Sequence, residues 1–146
     1  MIPGTLLVTF LLDQLSKFLI LKTLSGGQSI PLLPPVFHLT LVRNTGIAFG
    51  LFRNYPQFLF SINVLILAVL FILIGLRLFK QPILRIGIGM IAGGGLGNLV
   101  DRLRFGTIVD FLDFHIGSFH WPVFNIADSA ICVGTGLLLW ALFQKG

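Results

Sequence analysis

Long apolar runs dominate the chain, and short polar or proline-containing segments separate them. A helix that crosses the hydrocarbon core of a bilayer needs about 20 mostly apolar residues. Four runs have this length, at about 4–23, 58–78, 83–103 and 123–143. The pattern therefore predicts an all-α membrane protein with four transmembrane helices, built as a single domain over residues 1–146.

The segment between the first two predicted helices has a different pattern. Pro31, Pro34 and Pro35 forbid a continuous helix there. The following VFHLTLV alternates apolar with more polar positions, which is typical of a strand. After it, RNTGIAFGLF combines glycines with apolar side chains suited to the lipid surface. We therefore predict a small strand region at the membrane surface.

Composition excludes a water-soluble domain and gives no support to nucleic-acid binding. Hydrophobic residues make up 55% of the chain and charged residues 10%, and the mean hydropathy is +0.98. The net charge is +5, but the basic residues are scattered, and several lie beside helix ends where anionic lipid headgroups would meet them. Membrane lipids, and not nucleic acid, are the predicted partners.

Basic residues also predict the orientation of the chain. Arg77, Lys80 and Arg85 crowd the link between the second and third helices, with no acidic residue among them. The positive-inside rule places such a link in the cytoplasm. Both termini are then cytoplasmic, and the segments 24–57 and 104–122 are extracytoplasmic.

All five acidic residues are aspartates, and three of them lie within predicted helices. Intramembrane charges are costly and usually face the bundle interior or a wet cavity. Asp13 and Lys17 stand four apart and share one helix face. They either form a buried ion pair that holds helices together or orient polar groups near a site. Asp128 lies about one turn into the fourth apolar run.

Further polar groups accompany a glycine pattern in the third helix. Glycines recur at every fourth position from 89 to 97, which allows another helix to pack very closely. Asn98 follows and shares a surface with Asp101 and Arg102. The two charged residues alone are also compatible with the interface where the helix leaves the bilayer. In the fourth helix, Asn125 and Asp128 are three apart on one face. The loop 104–122 is unusually apolar and is expected to lie along the membrane surface. It returns to this end of the bundle, so Asp110 can reach Asp128.

Two carboxylates that meet in a low-dielectric site cannot both ionise cheaply, so they share a proton. Such a pair can activate water for attack on a peptide carbonyl and protonate the leaving amine.

No histidine on the fourth helix could activate Ser129 or Cys132. The spacing of His115 and His120 is a weak metal signal. We predict no metal site and no cofactor. Spacing alone leaves open which aspartates form the pair.

Five motifs occur in one order between Asp13 and Ile131, namely DQLSK, NTGIAFG, GGGLGNLVDRL, IVDF and FNIADSAI. In this set and order the chain resembles lipoprotein signal peptidase, also called signal peptidase II, a family of bacterial membrane aspartyl proteases. The resemblance implies a cytoplasmic (inner) membrane enzyme with its site near the extracytoplasmic face. It also implies cleavage of diacylglyceryl-modified prolipoproteins just before the lipidated lipobox cysteine, and inhibition by globomycin-type cyclic peptides.

The resemblance further implies roles for individual residues. Asp110 and Asp128 would be the catalytic pair, and Asp101 and Asp113 would not. A short amphipathic surface helix, together with the strand region, would clamp the substrate within about 28–56. The residues that hold the substrate or support the pair would be Asn44, Asn98, Arg102, Asn125, Asp13 and Lys17. By its type alone, Asn44 is either a turn residue or a group aimed at a ligand.

Two other functions are compatible with intramembrane charges. A proton-coupled carrier or small channel subunit would also place Asp and Lys in the membrane, although no inverted repeat is visible. A purely structural assembly protein would use the glycine face alone. The peptidase is expected to act as a monomer.

Overall fold

The computed structural model describes residues 1–47, 51–117 and 119–144. It contains four long helices, each long and apolar enough to cross a membrane by length and composition. These helices confirm the four predicted spans, with ends that differ by a few residues. They are α1 (Ile2–Thr23), α2 (Pro56–Gly75), α3 (Pro82–Phe105) and α4 (Ile126–Phe143).

Helix α3 lies at the centre and packs against each of the other three helices. Its glycines explain how closely the neighbours approach. A Cβ added at Gly93 would lie 2.6 Å from the backbone oxygen of Leu6 in α1, and one added at Gly94 would lie 2.5 Å from that of Ala127 in α4. Side chains at these positions would push the helices apart. The glycine face is confirmed, and it serves two neighbours.

An antiparallel sheet covers one end of the helices, in the order β1-β2-β3-β4. Strand β2 (Phe37–Asn44) confirms the strand predicted from VFHLTLV, and β1 (Ser29–Leu33) pairs with it. Strands β3 (Ile108–Ile116) and β4 (Phe119–His120) complete the sheet.

The interpretation of 104–122 as a loop is wrong for most of that segment, because β3 and β4 lie within it. Val109 and Phe111 of β3 are buried in a cluster with Ile20 and Leu24 of α1 and Leu41 of β2. The apolar residues that resembled a lipid contact are therefore partly the core beneath the sheet. The pairing of β3 with β2, which sets Asp110 opposite Val42 and Ile108 opposite Asn44, is not visible in local sequence.

The fourth helix begins at Ile126 and not directly after Pro122. Phe124 instead forms a bridge with Leu112, with N–H···O distances of 2.8 and 3.1 Å. Asn125 is the N-cap of α4, and its side chain accepts a hydrogen bond from the backbone N–H of Asp128. Asn125 is therefore beside Asp128 through a capping box, and not through a shared helical face.

The predicted surface helix within 28–56 remains a prediction. Residues 45–47 form a bend and 51–54 form turns. Residues 48–50, which include Phe49 and Gly50 of the NTGIAFG motif, lie outside the described residues.

Candidate active site

Asp110 and Asp128 line the same cavity, which has a volume of about 750 Å³. Asp110 lies in β3 and is only 1% exposed. Asp128 lies in the first turn of α4 and is half-buried. The junctions from α3 to β3 and from β3 to α4 therefore bring the two carboxylates to one end of the bundle.

Two asparagine side chains connect these carboxylates. The Nδ2 of Asn125 donates to Oδ1 of Asp110 at 2.7 Å, and the Nδ2 of Asn98 donates to Oδ1 of Asp128 at 2.8 Å. The Nδ2 of Asn125 also donates to Oδ1 of Asn98 at 3.1 Å. This chain of hydrogen bonds runs from one aspartate to the other and fixes how each carboxylate faces the cavity.

Burial, followed by the neighbouring negative charge of Asp128, raises the pKa of Asp110 to about 7. Hydrogen bonds from Asn44 and Asn125 and the charge of Lys17 partly oppose this rise. Two nearby carboxylates that share one proton can supply both the base and the acid for general acid–base chemistry on a peptide.

The side chain of Asn44 contacts both a cavity aspartate and the turn that follows β2. Its Nδ2 donates to Oδ2 of Asp110 at 2.9 Å, and its Oδ1 accepts from the backbone N–H of Gly46 at 2.9 Å. The first contact orients the carboxylate, and the second shapes the turn that follows β2. Because both groups of one amide are used, the turn and the carboxylate are positioned together.

Lys17 lies within a buried group of charges on the helix side of the site. Its Nζ is 2.8 Å from Oδ2 of Asp13 and 2.9 Å from Oδ2 of Asp101, and it donates to Oδ1 of Asn98 at 3.1 Å. The side chains of Lys17, Asp13 and Asp101 are 3%, 0% and 1% exposed, so they have lost nearly all contact with solvent. We call these three residues the ion triad.

The ion triad holds the backbone beside each cavity aspartate. Asp13 Oδ1 accepts from the backbone N–H of Ala127 at 2.9 Å, and Asp101 Oδ2 accepts from that of Val109 at 3.0 Å. Ala127 precedes Asp128, and Val109 precedes Asp110. The geometry thus agrees with both interpretations of the Asp13–Lys17 pair, since it joins helices and also positions polar groups near a site.

Sequence reasoning missed the part taken by Asp101 and Gln14. Asp101 fitted a membrane interface equally well, yet it lies in the ion triad. The Nε2 of Gln14 donates to Asp13 Oδ2 at 3.1 Å and to Asp101 Oδ1 at 3.2 Å. One signal was available in the sequence, because glycine recurs at position 97. In the structure, a Cβ at this position would collide with the carboxylate of Asp13.

The remaining predicted residue, Arg102, also lines the cavity. Its Nη2 donates to the backbone oxygen of Gly46 at 3.4 Å, so the guanidinium lies beside the turn that follows β2.

Asp113 does not line the cavity and instead bonds to Thr40 and His120 on the sheet. Geometry thus separates Asp113 and Asp101 from the cavity pair.

The rest of the cavity wall is mostly apolar. Ile62 and Ile66 of α2 and Ile91 of α3 contribute large side chains, while Gly95 and Ser129 leave room. Ligand sites commonly combine an apolar wall with a few convergent polar groups. This cavity can accept an apolar chain from the membrane and present a polar backbone group to the two aspartates.

The fold and the site define a multi-pass membrane protein with a pair of aspartates in one cavity at one end of its bundle. The family described as signal peptidase (SPase) II matches residues 5–144. The chain is 45% identical to a lipoprotein signal peptidase of Pelotomaculum thermopropionicum over 139 residues, covering 94% of this chain and 88% of that protein. It is 40% identical to one from Halothermothrix orenii, with coverage of 99% and 97%.

Two solved bacterial membrane enzymes have the same fold. They match with TM-scores of 0.90 and 0.88, each at 30% identity and over 99% of this chain, covering 88% and 94% of those chains. The chain belongs to the signal peptidase II family and is a membrane peptidase of the aspartic type. The family assignment favours the peptidase over the carrier and the assembly protein.

Proposed function

We propose that this chain removes the signal peptide of diacylglyceryl-modified prolipoproteins by hydrolysis just before the lipidated cysteine. The lipoprotein signal peptidases that it resembles support the substrate class. The observation that carries the mechanism is the presence of Asp110 and Asp128 in one apolar cavity, connected through Asn125 and Asn98.

In the proposed mechanism the two aspartates share one proton. The ionised carboxylate takes a proton from a water molecule as the oxygen of that water attacks the scissile carbonyl. The protonated carboxylate hydrogen-bonds to the carbonyl oxygen as negative charge develops there. Collapse of the tetrahedral intermediate breaks the C–N bond, and a proton passes to the leaving amine. No covalent intermediate forms.

The neighbouring polar groups have distinct proposed roles. Asn44 and Asn125 hold the two oxygens of Asp110, and Asn98 holds Asp128. Arg102 lies at the cavity wall, where it can bind the carbonyl oxygens of an extended substrate. Asp13 and Lys17 support the pair from α1 by fixing the adjacent backbone.

The apolar wall suits the signal peptide and the acyl chains of the proposed substrate. A signal peptide has an apolar segment that can lie in the bilayer next to α2 and α3, with small residues such as Gly95 leaving room. The acylated cysteine would hold the scissile bond at the level of the aspartates. The segment 28–56 is proposed to cover the bound peptide.

The proposed orientation places the site at the extracytoplasmic face of a bacterial cytoplasmic membrane. The basic link between α2 and α3 lies at the helix ends opposite to the sheet, because α3 leads from that link into β3. The positive-inside rule makes the link and both termini cytoplasmic. We also propose that the enzyme acts as a monomer and that globomycin-type cyclic peptides occupy its cavity.

The direct test is a cleavage assay with the purified chain in detergent. A prolipoprotein that carries the diacylglyceryl group should be cut just before the modified cysteine, as shown by mass spectrometry. The same polypeptide without the lipid is the matched control and should be cut far more slowly. Globomycin should block the reaction. Equal cleavage of both substrates would contradict the proposed specificity.

Cleavage should fall as the pH rises above about 7, the pKa to which Asp110 is raised. Above that value the pair loses its shared proton, both carboxylates are ionised and the general acid is lost. The fall should approach about tenfold per pH unit in kcat/KM. Because the titration belongs to the pair, the profile reports apparent values for both aspartates together. A flat profile between about pH 7 and 9 would contradict this mechanism.

A further inference from the structure

All three histidines of the chain lie together on the sheet, beside Asp113. His38 of β2 stands opposite Asp113 of β3 in the strand register. His115 of β3 stands opposite His120 of β4. The pairing of three strands therefore assembles a cluster that the spacing of His115 and His120 alone predicted only weakly.

The potential ligand atoms of this cluster converge. One ligand atom each from Asp113, His115 and His120 lies within 4.8 Å of the others. Oδ1 of Asp113 is 3.1 Å from Nε2 of His115 and also contacts Nε2 of His120. The rings of His115 and His120 have centroids 4.1 Å apart, and those of His38 and His115 are 4.7 Å apart.

Two of the imidazole nitrogens, Nδ1 of His38 and Nε2 of His115, are buried and have no hydrogen-bond partner among the described residues. Nε2 of His115 is close to Asp113 Oδ1, but the two groups are not aligned for a hydrogen bond. A buried polar atom without a partner is unfavourable, because it has lost its hydrogen bonds to water. A cation that binds the nitrogen lone pairs would remove this cost.

A hydrogen bond from Thr40 orients the carboxylate of Asp113. Its Oδ2 accepts from Oγ1 of Thr40 at 2.5 Å, and Thr40 is in turn 2.8 Å from Oγ of Ser29. Oδ1 is left facing the two histidines. Metal-binding carboxylates are commonly held by such second hydrogen bonds.

We propose that Asp113, His115 and His120 bind one divalent transition-metal ion, with Zn²⁺ the best match to the ligand set. Two imidazoles and one carboxylate are typical zinc ligands, and they favour transition metals over Mg²⁺ and Ca²⁺. His38, whose Nδ1 has no partner, is placed to supply a fourth ligand.

The location of the cluster indicates a stabilising role. His120 ends β4, and Trp121 and Pro122, which follow directly, line the cavity of the aspartates. None of the three proposed ligands lines that cavity. An ion that joins β3 to β4 would therefore hold the start of the cavity wall in place without touching the reacting groups.

The test uses the full chain, purified in detergent through an affinity tag that contains no histidine and treated with EDTA. Titration with Co²⁺ should give one ion per chain, with the visible absorption bands of a four-coordinate site. Zn²⁺ should displace the Co²⁺ and raise the apparent Tm by several degrees, since it binds only the folded state. Mg²⁺ should do neither.

Variants locate the site. The double variant His115→Gln/His120→Gln and the single variant Asp113→Asn should each weaken Co²⁺ binding at least about tenfold. Asp110→Asn is the matched carboxylate control and should bind Co²⁺ as the parent does, because Asp110 lies in the cavity. No stoichiometric Co²⁺ binding by the folded parent would overturn the proposal. So would binding of parental strength in the double variant.

Discussion

Replacement of Asp110 or Asp128 by Asn is expected to lower the kcat/KM for a lipid-modified prolipoprotein by roughly 10²- to 10⁴-fold. Each change keeps the size of the side chain but removes a group that can exchange a proton. Neither single variant retains a pair that shares a proton, because an amide neither takes a proton from water nor gives one to the amine. Activity should be measured with the diacylglyceryl-modified substrate at saturating and subsaturating concentrations.

Two comparisons make this prediction specific. Asp113→Asn is the matched control on the same strand, and it should lower kcat/KM no more than severalfold, since Asp113 does not line the cavity. The double variant Asp110→Asn/Asp128→Asn should be little worse than either single variant, because the two groups act as a unit. Cleavage by the folded double variant at the parent rate would contradict the mechanism.

Replacement of Lys17 by Met should cause the largest loss of stability. Lys17 is the cation of the ion triad, and its removal leaves the buried Asp13 and Asp101 facing each other without a counter-charge. Breaking a buried charge pair by removing one partner typically costs about 3–5 kcal/mol. For a chain of this size, that cost corresponds to a decrease of about 10 °C or more in apparent Tm. Thermal unfolding in detergent measures it.

The same helix offers a control and a rescue. Lys22 is an exposed lysine over the ring of Phe18, and Lys22→Met should change the Tm only slightly. In the triple variant Lys17→Met/Asp13→Asn/Asp101→Asn no unpaired charge remains, so part of the lost stability should return. A Tm of Lys17→Met equal to that of Lys22→Met would show that the ion triad does not support the fold.

Much of the helical scaffold follows from local pattern. Each span is a long apolar run, and such a run forms a helix in lipid because its backbone groups have no other partners. The glycines at positions 89, 93 and 97 repeat every fourth residue, which predicts a close helix contact, and all three face α1 in the structure. The ion pair of Asp13 and Lys17 likewise follows from helical spacing, since the two residues are four apart.

Contacts between distant segments were harder to predict from the sequence. Most residues of β3 are apolar, so it resembles a lipid contact until β2 is placed beside it. Asp101 was compatible with a membrane interface. Its partners, however, are Lys17 in α1 and the backbone of Val109 in β3, and helical spacing predicts neither contact. The start of α4 was placed too early because the bridge of Phe124 to Leu112 is a tertiary contact.

By itself, the sequence determined that the chain spans a membrane with four helices. It also determined that the chain carries acidic groups, whose burial in a membrane is energetically costly. Its motifs also identified the family, because five short segments retain their residue types and order. Only the tertiary structure decided which charges meet. The contacts between Lys17 and Asp101, between Asp110 and Asn125, and among the histidines depend on strand pairing and helix packing across many residues. Local periodicity carries no information about contacts between distant segments. The packed backbone, by contrast, brings these side chains within hydrogen-bonding distance of each other.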